Sequence, residues 1–263
     1  MSKCCYIHFK SCSNKNQGQN DSPGLFIDGF PITKTKATKF LGVIIDEDLS
    51  WQPHIAALRR KLNYAAATLN RIRDCIPSNL HKDLYHTLFE SHLTYCISVW
   101  GDAAKFRTTG LWLAQKHCIR VLFGDKKAYF DKFMTCARVR PYSDQALGTS
   151  FYQLEHVKPL FKEQNILAFN NLYTYHTFME VFKILKLECP RSLHDQFHIS
   201  TRKQTSLISQ LPSHDFVSRS TKLWNTIAPK FGITEFSHKI SHAKTTLKKA
   251  LLKLQHTADG VGW

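Results

Sequence analysis

A single change of hydrophobic period, at residues 39–55, constrains this chain more than any other feature. Phe40 to Ile45 form a short run of apolar residues with Gly42 inside it, followed by Asp46, Glu47 and Asp48. Such a run reads as a strand leading into an acidic turn. From Ser50 the apolar residues recur at three- and four-residue steps, through Ile55, Leu58, Leu62, Ala65, Leu69 and Ile72. That spacing gives one continuous helical face. The chain is strand-like before the junction and mostly helical after it. The fold class this implies is mainly α, with a small N-terminal β portion.

Taken in order, Cys4 to Phe9 alternate weakly and are followed by a polar stretch from Ser11 to Gly24. Leu25 to Gly29 reads as a strand ending in an Asp28-Gly29 hairpin turn, with the next strand expected over Phe40 to Ile45. Two or three strands alone are marginal in water and need the helices behind them. For the first helix, Ser50 is the expected N-cap, Pro53 sits in the first turn, and the three acids before it suit the helix dipole. A second helix is predicted from Pro77-Ser78 to Trp100-Gly101, carrying Leu80, Leu84, Leu88, Leu93 and Ile97, and a third over Leu111 to Phe123. These three suit a compact antiparallel bundle. Beyond an irregular 125–148 segment, Val157 to Leu187 reads as two helices broken near Tyr175 and ended by Cys189-Pro190. Thr205 to Leu211 is β-prone. Phe216 to Ile227 is helical and closed by Pro229, and Phe236 to Leu254 forms a last amphipathic helix. The resulting division is 1–49, 50–124 and 125–263.

The 263 residues carry 36 Lys and Arg against 20 Asp and Glu, a net charge of +16. Excess positive charge of this size attracts polyanions, nucleic acid above all. The basic residues gather on helix faces. Arg59, Arg60, Lys61, Arg71 and Arg73 surround the first helix, with Arg60 and Arg71 opposite its apolar stripe. Lys239, Lys244, Lys248, Lys249 and Lys253 flank the last. Arg60, Arg71, Lys248 and Lys249 are the strongest candidates for phosphate contacts, with Arg59 and Lys61 beside them. No run of 18 apolar residues exists, and the first residues lack the apolar core of a signal peptide. An intracellular protein, nuclear or cytoplasmic and without stable membrane association, is therefore expected. The eight cysteines are scattered and fit reduced, small core residues.

Three constellations suggest chemistry and have plainer explanations. Asp46, Glu47 and Asp48 invite a two-metal reading, yet strand alternation points Asp46 and Glu47 apart, and acids at a helix entry need no metal. Cys189, His194 and His198 lack a fourth zinc ligand. His238 and His242 form an i, i+4 pair with no third partner. No phosphate loop and no Gly-x-Ser-x-Gly motif is present, so neither a catalytic nor a metal-ligating residue is assigned.

The same junction carries a family resemblance. Lys39 to Asp46, then Leu49-Ser50-Trp51 and His54-Ile55, resemble the segment that follows the catalytic palm in reverse transcriptases of non-LTR retrotransposons, the jockey-like group in particular. The likeness continues through Lys61-Leu62, Leu69, Arg71, Arg73, Leu84-Tyr85, Leu93 to Tyr95, Trp100-Gly101 and Gln115-Lys116 with Arg120. It returns at Lys222 to Asn225 and in the Lys-rich last helix.

The resemblance implies that residues 1–49 are the end of a palm, 50–124 a thumb-like bundle, and 125–263 a basic helical C-terminal region. Phe40, Leu41 and Gly42 would form the strand beside the primer grip, and the partners would be an RNA template and a DNA primer. One departure is decisive for activity. The family's active site needs an adjacent Asp pair, and this chain has none. The resemblance therefore implies the C-terminal part of an RNA-directed DNA polymerase, inactive by itself. Mg²⁺ is expected only in a full-length enzyme, whose N-terminal polymerase portion would be a further partner. The rival reading is a helical scaffold or membrane-surface protein built on the last amphipathic helix, or a pseudogene product without function.

Overall fold

A computed structural model of the chain describes residues 4–9, 24–124, 157–187, 190–200, 206–209, 215–232 and 239–256. The N-terminal part is a set of small two-stranded pairings. β1 (Cys5–Tyr6) runs parallel to β4 (Thr33–Lys34), while β2 (Phe26–Ile27) and β3 (Phe30–Pro31) are antiparallel. Asp28 and Gly29 supply the turn between β2 and β3, with φ of 50° and 80°. These are the left-handed values that a two-residue hairpin turn requires. The expected turn is present, but its second strand is Phe30–Pro31 and not Phe40 to Ile45.

The Phe40 to Ile45 run is itself folded in two. β5 (Ala37–Phe40) and β6 (Val43–Asp46) are antiparallel, with Phe40 opposite Val43 and Leu41-Gly42 as the turn. The single strand expected here is corrected to a hairpin. Leu41 takes φ of 44°, a strained value for a side chain with Cβ, and Gly42 takes 85°. Tyr95, 54 residues onward, offsets that strain: its hydroxyl donates to the Leu41 carbonyl at 2.7 Å.

Helix α1 (Gln52–Ile72) follows with the apolar stripe the sequence predicts. Ile55, Leu58, Leu62, Ala65 and Leu69 are all buried, Leu62 and Leu69 completely. The N-cap is Trp51, in a left-handed conformation, and not Ser50. Ser50 Oγ still accepts from the Gln52 amide at 3.3 Å. The next helical stretch is not continuous. It comprises a 3₁₀ turn (Ser78–Leu80), α2 (His81–Leu84), a π-helical turn (Tyr85–Glu90), α3 (Ser91–Thr94) and α4 (Ile97–Trp100). The break at Tyr95-Cys96 arises because Cys96 is left-handed and the Tyr95 carbonyl accepts from Trp100 Nε1 at 2.9 Å. Tyr85 and Phe89 fill the core positions, so Leu80 and Leu88, expected inside, are exposed. α5 (Lys105–Phe123) begins six residues earlier than predicted, and Arg73 grips its end through the Val121 and Gly124 carbonyls at 2.7 and 2.9 Å.

In the C-terminal part, α6 (Lys158–Glu163) and α7 (Phe169–Leu187) are separated at residues 164–168, not near Tyr175, which lies inside α7. Two buried glutamines explain the position of that break. Gln115 on α5 donates to the Leu167 carbonyl and accepts from the Phe169 amide, both at 2.9 Å, and also donates to the Tyr85 hydroxyl oxygen. From the other side Gln255 accepts from the Ala168 amide at 2.9 Å and donates to the Ile166 carbonyl at 3.2 Å. Backbone groups that would otherwise be orphaned in the core are paired, and a helix is not needed there.

The short α8 (Arg191–His194) leads into β7 (His198–Ile199), which pairs with β8 (Leu207–Ile208). α9 (Phe216–Phe231) is capped by Asp215, whose carboxylate accepts from the Val217 amide at 2.8 Å. It runs past Pro229 to a left-handed Gly232 instead of closing at the proline. α10 (Ile240–His256) ends the described chain; Phe236, where this helix was expected to start, lies outside the described residues. Trp224 on α9 stacks on Phe178 at 4.5 Å, and Asn225 pairs with both backbone groups of Leu207.

The chain is thus mainly helical, and one apolar core runs from Ile55 through Trp100, Phe169 and Trp224 to Leu251. That core crosses the 124/125 boundary drawn from the sequence. Each fully buried Leu, Ile or Phe in it contributes about 1.5–3 kcal/mol. Trp100 is fully buried in it, 5.4 Å from the His54 ring and 6.1 Å from Phe169.

Candidate functional site

The side of α1 opposite its buried stripe carries Arg60, Tyr64, Thr68 and Arg71 at steps of four, four and three residues, which places them in one row. Arg60, Lys61, Tyr64 and Arg71 are exposed, Tyr64 by 75%. Facing this row, the π-helical turn contributes Leu88 and α3 contributes His92. Between them lies an open groove of about 540 Å³ lined by Arg60, Lys61, Tyr64, Ala65, Thr68, Leu88 and His92. Two cations, one aromatic side chain and the apolar Ala65 and Leu88 line it together. No acidic side chain among the described residues pairs with Arg60, Lys61 or Arg71. Their charge is available to an anion.

The sequence groups Arg59 and Arg73 with these residues; Arg59 is exposed beside Arg60 but does not line the groove, and Arg73 is turned to α5. Arg59 lies along α5, so close to Gly110 that a Cβ there would come within 3.2 Å of its side chain. Arg73 is committed to the end of α5. Conversely, Thr68, Leu88 and His92 were not singled out as site residues. Leu88 lies in the π-helical turn, which presents it to the groove.

Lys248 and Lys249 lie on α10, away from that groove. Ala243, Leu247, Leu251 and Gln255 dock α10 into the core against α7, leaving Lys249 exposed and Lys248 half-buried. The apolar stripe of this helix is therefore largely covered by protein, with Leu254 near its end 45% exposed. Neither lysine lines the groove.

At the junction, Phe40 and Leu41 are exposed by 61% and 75% at the tip of the β5–β6 hairpin. Gly42 lies against the Tyr95 ring, where a Cβ would approach it to 3.2 Å. The hairpin is thereby fixed to the bundle while its apolar tip stays free. Asp46 is buried and accepts from the Ser50 and Trp51 amides at 3.0 and 2.9 Å. Burial alone would push its carboxyl up, but the hydrogen bonds from Ser50 and Trp51 outweigh it and hold the group below the ordinary carboxylate range. The Ser50 carbonyl in turn accepts from Arg107 Nη1 at 2.8 Å. His54 is buried under the hairpin, accepting from the Ile44 amide at 3.4 Å. Burial, reinforced by the Lys61 charge, lowers its pKa and keeps it neutral. These contacts orient β6 on α1.

Asp46 therefore organises the helix entry. Among the described residues no three His, Cys, Asp or Glu side chains gather as a metal-ligand set. His194 is paired with Asp195 at 3.3 Å, while Cys189 and His238 lie outside the described residues. No described helix is long and apolar enough to cross a membrane.

No family model matches the chain, and no solved structure matches it. A similar protein is the RNA-directed DNA polymerase from mobile element jockey of Drosophila funebris, 27% identical over 125 residues. The match covers 46% of this chain and 13% of that polymerase. A distant homologue of the chain is thus a retrotransposon RNA-directed DNA polymerase, of whose length the chain spans a small part.

Proposed function

We propose that this chain is the nucleic-acid-gripping C-terminal portion of a retrotransposon reverse transcriptase, holding template and primer through the basic face of α1. The observation that carries this reading is the pair of exposed cations Arg60 and Lys61, which line the groove and, like Arg71 on the same helix, have no acidic partner among the described residues. The net charge of +16 and the distant jockey relative support it. Residues 50–124 then act as a thumb-like bundle. The β5–β6 tip, with Phe40, Leu41 and Gly42, lies on the side of the primer end. Lys248 and Lys249 add a second, weaker basic surface.

Phosphoryl transfer by two metal ions needs clustered carboxylates. The sequence has no adjacent Asp pair, and Asp46 is committed to backbone amides. The chain is accordingly assigned binding and no DNA synthesis of its own. Mg²⁺ and the catalytic carboxylates belong to an N-terminal polymerase portion, which would be its partner in a full-length enzyme.

The test is fluorescence anisotropy with a labelled RNA–DNA template–primer between about 50 and 200 mM salt, where phosphate contacts weaken steeply. The expected result is a steep salt dependence whose slope falls by about 2 when Arg60→Ala and Lys61→Ala are combined. An unchanged slope would remove α1 from the interface. A primer-extension assay on the same protein should show no incorporation; Mg²⁺-dependent incorporation overturns the binding-only assignment.

A further inference from the structure

Resting on that reading of the α1 groove, we infer that it takes an unpaired stretch of nucleic acid, with one base stacked on Tyr64 and the flanking phosphates on Arg60 and Lys61. A duplex buries its base faces against one another and offers a protein surface mainly phosphates and groove edges. A site for duplex alone needs cations and polar donors, not an aromatic face among apolar side chains. Here the ring of Tyr64 is 75% exposed, beside Ala65 and Leu88, in a groove of about 540 Å³. That volume falls in the range of pockets that enclose a small molecule, and one nucleotide fits it. Arg60 and Lys61 precede Tyr64 by four and three residues, so both cations flank the ring on the same helical surface. His92 lines the groove from α3. An aromatic platform between cations is the arrangement by which single strands are held without sequence preference, because every base has a π-face.

The experiment uses the full chain and two labelled probes of equal length, an unstructured oligopyrimidine and a blunt duplex, at one fixed salt concentration. Tyr64→Ala should weaken the single strand by about tenfold and leave the duplex unchanged. Tyr64→Phe should keep wild-type affinity, because the ring stacks and the hydroxyl does not. Since Tyr64 projects into solvent, circular dichroism and the melting temperature of both variants should match wild type. Equal affinity of Tyr64→Ala and wild type for the single strand overturns the inference. So does an equal loss on the duplex. If Arg60→Ala with Lys61→Ala weakens both probes while Tyr64→Ala weakens neither, the stacking site is rejected and the phosphate-gripping function stands. If neither change alters binding to either probe, both readings fall.

Discussion

Helices α1 and α10 carry the same pattern in the sequence, an apolar stripe at helical spacing with basic residues behind it, and the fold uses them differently. In α1 the basic row borders a groove with a second wall, supplied by Leu88 and His92, and an aromatic ring stands among the charges. In α10 the lysines flank a docked helix whose apolar side and Gln255 are buried. The first helix presents a concave surface, and the second acts as a structural brace. Charge alone does not distinguish an interface from a solvated helix back. What stands across from the charge does.

The largest effects should come from the two glutamines that hold residues 164–168, Gln115 on α5 and Gln255 on the α10 brace. Gln115→Ala leaves the Leu167 carbonyl, the Phe169 amide and the Tyr85 hydroxyl without their partner in a dry core, a cost of about 3–5 kcal/mol. Gln255→Ala should cost about 2–4 kcal/mol, since it orphans two buried backbone groups, the Ile166 carbonyl and the Ala168 amide, where Gln115→Ala orphans three groups. Denaturant unfolding measures both. A Gln255→Ala protein as stable as wild type would mean that α10 braces nothing. Acid should act next, through His117 on α5, whose pKa is pushed down to about 4 by burial, with the Arg120 charge adding to it. Because the folded value lies below the unfolded one of about 6.5, its contribution is complete above pH 6.5 and is lost as pH falls toward 4. The loss is at most about 3 kcal/mol, and smaller to the extent that water reaches the ring. His117→Gln should flatten that part of the stability profile; an unchanged profile assigns the acid sensitivity to other groups.

What could be read in advance follows from where each determinant lies along the chain. The α1 stripe was legible because Ile55, Leu58, Leu62, Ala65 and Leu69 declare a period of 3.6 within one segment, and all five are buried. The Asp28-Gly29 turn was legible because those residue types tolerate left-handed φ. The Leu41-Gly42 turn was hidden inside an apolar run, since Leu does not announce a turn and its support comes from Tyr95. The break at 164–168 was placed wrongly because its causes, Gln115 and Gln255, are 52 and 89 residues from the backbone groups they pair with. The site was half legible for the same reason. Arg60 and Lys61 stand on the helix that displays their periodicity, whereas Leu88 reaches the groove only through a π-helical turn that apolar spacing does not reveal.

Binding sharpens the comparison at a smaller energy. On the single-stranded probe, Arg60→Ala with Lys61→Ala should lower affinity by about tenfold at 100 mM salt, while Lys248→Ala with Lys249→Ala should lower it by no more than about threefold. The second pair removes long-range attraction but no groove. Anisotropy titrations decide it, and equal losses for the two pairs would erase the distinction between an interface and a brace.

The smallest effect should come from the junction between hairpin and bundle. Tyr95→Phe keeps the ring that Gly42 rests on and removes only the hydroxyl that donates to the Leu41 carbonyl. That carbonyl sits at an exposed turn and finds water once the hydroxyl is gone, so the cost is about 0.5–1.5 kcal/mol and should be local. Hydrogen exchange of the β5–β6 amides should quicken by up to about tenfold while that of α1 does not change. If α1 exchanges faster as well, the hairpin is not a separately anchored tip but part of what stabilises the helix. The Tyr95–Leu41 contact would then couple the exposed tip to α1 instead of anchoring the tip alone.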